Sequence, residues 1–153
     1  MNWLKISQES YLGESGVAKS SKHTAETNDI SNQSQGCIKK LIEAQHAIRM
    51  HHWLTSSYSE HKALGKAYKG LDDLIDTFVE AFIGVRGKSV LSGISGLSIT
   101  VGDDCTKIID NLEAVLRNEI IKEVGSSETA LLNIRDEMLG LVSRTKYLLA
   151  QTK

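Results

Sequence analysis

Not one proline interrupts the 153 residues of this chain. Proline ends or kinks a helix because it lacks an amide donor and clashes with the preceding turn, so its absence leaves helices free to run for many turns. Aromatic residues make up only 5%, whereas all-β domains lean on aromatic and β-branched strands joined by proline- and glycine-rich turns. An all-α fold is the class expected.

The apolar pattern from Gly36 onward fits four helical segments. The first, over about 36–55, sets Ile38, Leu41, Ile42, Gln45, Ile48 and His52 on one stripe. The second opens with a capping box, Ser57 at the N-cap and Glu60 at N3. It runs to about Ile83 with His61, Leu64, Tyr68, Leu71, Phe78 and Phe82 facing inward. The third covers about 103–123 and buries Ile108, Ile109, Leu112, Val115, Leu116 and Ile120, with Gly125 as its terminator. The fourth starts at Ser126 or Ser127 and continues through Leu131, Met138, Val142, Thr145 and Leu149. Between the second and third lie residues 84–102, which hold Gly84, Gly87, Gly93, Gly96 and Gly102. The other connections are short and join antiparallel neighbours, while this one is long enough to cross the bundle and to include a helical turn around Val90 to Ser98. Short, long, short is the connectivity of a ferritin-like four-helix bundle with one crossover.

Residues 1–35 read differently, being rich in Ser, Asn, Gln, Thr and Glu with no apolar period. Alone, such a segment buries too little apolar surface to offset its ordering entropy. Trp3, Leu4, Ile6, Tyr11 and Leu12 form the exception. Two readings stay open: a flexible tail with incidental hydrophobes, or a docking arm that orders against a partner. The start of the chain shows no apolar core of an export signal, and no apolar run approaches the ~20 residues of a membrane-spanning helix. The formal net charge is −1, which excludes holding nucleic acid through bulk charge. Two cysteines, Cys37 and Cys105, are too few for a disulfide framework or a zinc finger and read as small buried hydrophobes. The glycine-rich crossover lacks the spacing of a phosphate loop.

The chemistry concentrates in histidines and carboxylates. His46, His51, His52 and His61 crowd into one stretch, and Asp72, Asp73, Asp76 and Glu80 follow on the second helix. His52 and His61 fall on or beside the core stripe; Asp76 and Glu80 stand one turn apart at its edge. Imidazole with carboxylate is a ligand set suited to iron and similar metals. His61 and Asp76 are separated by ~22 Å along one helix at 1.5 Å per residue, so one subunit cannot bring them together. Two antiparallel copies of the second helix about a two-fold axis can, His52 and His61 of one facing Asp76 and Glu80 of the other.

These residues resemble a known family. The pair His52-Trp53, then His61, then Asp76-x-x-x-Glu80 is similar to the ferroxidase signature of the Dps-type mini-ferritins, and EMLGLVSRTKYLLAQ resembles their final helix. The segments SYSEHKAL and YKGLDDLID look still closer to an uncharacterised group of Dps-like proteins encoded by tailed bacteriophages. The resemblance covers about residues 37–150. It implies a homo-oligomer, extending to a hollow shell, that binds Fe²⁺ through His52, His61, Asp76 and Glu80 and oxidises it with peroxide or oxygen. Three features depart from the family. Gly65 stands where the pattern has another Asp ligand, and the interval from the His-Trp pair to His61 is about three residues short. The lysine-rich DNA-binding tail is also absent, so DNA binding is not carried over.

A second ligand pattern, Glu43-x-x-His46, has the spacing used by di-iron carboxylate bundles. Those sites need two such motifs and one is present, so it reads as a solvated helix face. Two functions from different classes therefore stand against each other. One is a ferroxidase and iron store in the cytoplasm of a bacterial host. The other is a non-catalytic structural or virion-associated phage protein on a mini-ferritin scaffold, its N-terminal arm docking on other phage structural proteins.

Overall fold

The structure is a computed structural model that describes residues 21–102 and 104–151, with side chains from residue 36 onward. The apolar cluster expected between Trp3 and Leu12 lies outside the described residues. All regular structure among them is helical: α1 (Ser21–Leu54), α2 (Tyr58–Arg86), α3 (Cys105–Ala114), α4 (Ile120–Glu123) and α5 (Thr129–Ala150), with a 3₁₀ turn at Lys88–Leu91. A π-helical turn, Val115–Glu119, joins α3 to α4, so four helical rods result, as the periodicity predicts. None is long and apolar enough to cross a membrane.

Several boundaries differ from expectation. α1 is already helical at Ser21, well ahead of Gly36, because the polar stretch from there to Gly36 contains no helix breaker. The turn in the crossover forms at Lys88–Leu91, ahead of the glycines that would interrupt it further on. Gly87 and Gly93 adopt φ of 79° and 90°, values an L side chain resists. Gly125 does not act as a left-handed cap. α4 instead leaves its last turn through an extended Val124, and the Gly125 amide donates to Glu128 Oε2 at 2.6 Å. α5 starts at Thr129, after Glu128.

The π turn has a readable cause. Leu112, Leu116 and Ile120 are spaced by four and all are fully buried. Four exceeds the 3.6 residues of an α turn, so the stripe would drift off the core; a wider turn holds all three on it.

Contacts between rods give their directions. α1 packs on α2 and α3, and α5 packs on α2 and α3. Cys105, first in α3, meets Glu60 in the first turn of α2, so α2 and α3 run the same way and the crossover spans the bundle. Lys40, midway along α1, pairs with Glu119 at the far end of the third rod, while His51 near the end of α1 lies beside Cys105 at the start of α3. Lys146 near the end of α5 pairs with Asp110 at 2.6 Å and with Glu113. α1 and α5 therefore both oppose α3. The core between them holds Phe78 and Phe82, stacked at 5.7 Å, with Leu41, Ile48, Leu64, Leu131 and Met138. Each such side chain contributes about 1.5–3 kcal/mol by leaving water.

Candidate functional site

The turn between α1 and α2 is only three residues long, and it brings the end of one helix against the start of the next. Ser57 caps α2 as expected, accepting from the Glu60 amide at 3.4 Å. The other half of the box is not made by glutamate. Thr55 Oγ1 takes the Ser57 amide at 3.2 Å, which releases the Glu60 carboxylate for another use.

On one side of this turn His52 and His61 stack, ring centroids 3.8 Å apart and 23° from parallel. Each Nδ1 lies 2.8 Å from the other residue's backbone carbonyl. A carbonyl only accepts, so both Nδ1 atoms carry a proton, and in the neutral ring that places the lone pair on Nε2. A metal-ligating imidazole is held in this manner. Gly65 belongs to the arrangement: a Cβ there would sit 3.0 Å from Cε1 of the His52 ring. The position where the resemblance expects an aspartate is thus filled by an imidazole from α1, and a side chain at 65 would displace it.

Asp76 and Glu80 lie further along α2 and are exposed rather than at a core edge. The chain does not gather them with His52 and His61 into one group. Asp72, one turn nearer, accepts at 3.0 Å from Gln45, a side chain buried in the core. Glu43 and His46 are not a solvated pair either. Glu43 Oε1 accepts the Ser98 amide of the crossover at 2.8 Å, and His46 Nδ1 bonds the Ile42 carbonyl at 2.9 Å.

The donor groups that do come together are ones the sequence reading left aside. A ring nitrogen of His51, a carboxylate oxygen of Glu60 and Sγ of Cys105 all lie within 4.8 Å of one another. Cys105 Sγ donates to Glu60 Oε1 at 2.7 Å, and Thr55 Oγ1 donates to Glu60 Oε2. Those two bonds, Cys105's first, hold the Glu60 carboxyl below its ordinary value. Burial, then the neighbouring Glu60, pushes the Cys105 thiol up to about 12. Nδ1 of His51 is buried with no hydrogen-bond partner among the described residues. Nothing local signals this group, because Glu60 and Cys105 are 45 positions apart and meet only once the crossover has placed α3.

A family model described as a family of unknown function (DUF5856) matches residues 52–149. A protein of Enterobacteria phage T4, described as an uncharacterized 14.6 kDa protein in the mobD-ri intergenic region, is 33% identical over 110 residues, covering 72% of this chain and 82% of that one. No solved structure matches.

Proposed function

We propose a function for a chain that belongs to the DUF5856 family: a mini-ferritin-like oligomer that binds and oxidises iron at sites shared between paired subunits. Fe²⁺ is the substrate. His52 and His61 of one subunit offer Nε2, and Asp76 and Glu80 of the other offer hard oxygens for the ferric product. The observation carrying this reading is the reciprocal pair of Nδ1 to carbonyl bonds, which fixes both rings and leaves Nε2 as the ligating nitrogen of each neutral imidazole. The directions of the rods, with α2 and α3 parallel across one long crossover, support a ferritin-like bundle. Trp53, Leu54 and Tyr58 are 61%, 59% and 74% exposed around the same turn, apolar surface of the kind a subunit contact covers.

A two-fold pairing makes a sharp test. In an isologous dimer, His52→Ala and Asp76→Ala chains are each inactive in Fe²⁺ oxidation. Mixed and reassembled in equal amounts, half the dimers are hybrids with one intact site each, so about a quarter of the wild-type rate returns. A monomer in sedimentation velocity, or no recovery from verified hybrids, overturns the shared site.

A second reading, a non-catalytic phage assembly protein, is favoured by the His52 ring filling the place of a ligand at Gly65 and by the phage relative. Under it, wild type shows no saturable Fe²⁺ binding and His52→Ala changes only subunit association.

A further inference from the structure

We propose that His51, Glu60 and Cys105 form a three-donor site for a thiophilic divalent cation of the zinc class, at the corner where α1 ends and α2 and α3 begin.

The donor set is the first argument. Imidazole, carboxylate and thiolate together suit zinc, and three protein ligands leave a fourth position for water. Donors around a tetrahedral zinc stand roughly 3.5 Å apart at ordinary bond lengths, so a group already within 4.8 Å closes by small side-chain rotations. The donors come from three rods, so the cluster is a product of the fold and not of one helix face.

The second argument is what the cluster leaves undone. Nδ1 of His51 is buried with no partner among the described residues, a costly condition for a polar nitrogen. Glu60, whose capping role Thr55 has taken, faces the thiol with Oε1 and the Thr55 hydroxyl with Oε2, so its carboxylate is already turned to the corner. Charge completes the case. Binding replaces the thiol proton by M²⁺: the Sγ–H bond breaks, the proton leaves to solvent, and Sγ, Glu60 and the neutral His51 take the cation. The resulting group is formally neutral, as a partly buried corner requires.

The site is separate from the histidine pair on the neighbouring face of the turn, and a cobalt spectrum distinguishes the two. Full-length protein titrated with Co²⁺ should develop a thiolate-to-metal charge-transfer band, and Zn²⁺ should abolish it at one equivalent per chain. Cys105→Ser should remove the band and weaken Zn²⁺ binding, read by competition with a chromogenic chelator, at least tenfold. His51→Ala should weaken it similarly, while Cys37→Ser and His52→Ala keep the band. Helical content checked by circular dichroism shows which variants remain folded, and Cys105→Ala replaces the serine variant if that one does not. No saturable band in wild type, a band that persists in folded Cys105 variants, or loss of the band in His52→Ala overturns the proposal.

Discussion

The two ends of the bundle repeat one motif with opposite outcomes. Each sets a cysteine beside a glutamate: Cys105 with Glu60 where α2 and α3 begin, Cys37 with Glu123 where they finish. At the far end the chain supplies its own cation. Arg86 Nη2 donates to the Glu123 carbonyl and to Glu128 Oε2, both at 2.8 Å, and its guanidinium lies 4.3 Å from the Phe82 ring centroid. At the near end the third member is a neutral-capable imidazole. The carboxyls respond differently. Burial raises Glu123 despite the bond from Cys37, whereas the bonds from Cys105 and Thr55 lower Glu60. One end is closed by a fixed charge, with Arg86 Nη1 and Glu123 Oε2 still unpartnered among the described residues. The other is left as a set of donors with no fixed cation among them.

The largest expected effect comes from opening the closed end. Arg86→Ala removes the bonds to Glu123 and Glu128 and the cover over Phe82, and it leaves Lys40 as the cation acting on Glu123. A loss of about 2–3 kcal/mol in urea unfolding is expected. A loss under about 0.5 kcal/mol would mean the two ends are alike.

A smaller effect separates two glycines of α2. At Gly84, near the closed end, a Cβ meets nothing within 4 Å among the described residues, so Gly84→Ala should stabilise by roughly 0.5–1 kcal/mol. At Gly65 the new methyl meets the His52 ring, so Gly65→Ala should destabilise by about 1 kcal/mol despite the same gain in propensity. Equal shifts in unfolding midpoint would erase the distinction. Replacing Gly65 with Asp, which the resemblance suggests would restore a ligand, should instead push His52 off His61 and disturb both imidazole ring environments in NMR.

The smallest effect lies in acid titration, and its sign differs between ends. Glu60 is lowered from 4.5, so its contribution is present above that value and is lost as pH falls through the lower folded value. Glu123 is raised from 4.5, so ionising it costs stability that is recovered as pH falls below the raised value. Glu60→Gln should flatten the acid limb of the stability curve, and Glu123→Gln should raise stability at neutral pH. The same sign for both variants would break the comparison.

The rods were legible because each buried stripe is a local 3–4 pattern; Ser57 was legible because capping is settled within four residues. The candidate site was legible only in part. His52 and His61 stood out as a pair across a short turn, but their stacking depends on a neighbour without a side chain at 65. Glu60 looked spent in its capping box, and only Thr55 taking over the Ser57 amide releases it. Cys105 looked like core, since a chain read in order gives no sign of which helix start the crossover will set beside it.

The histidine pair also bears on the order in which the bundle assembles. His52 and His61 are nine positions apart, whereas the Glu60 to Cys105 contact closes a loop five times longer, at an entropic cost about 1.4 kcal/mol greater. The α1–α2 hairpin is thus the contact a searching chain reaches early, and the docking of α3 comes late. Kinetic φ-values should be high for conservative changes at His61 and near zero at Cys105. His51 and Glu60 then stand side by side, fixed by the hairpin, before the sulfur that completes their corner arrives.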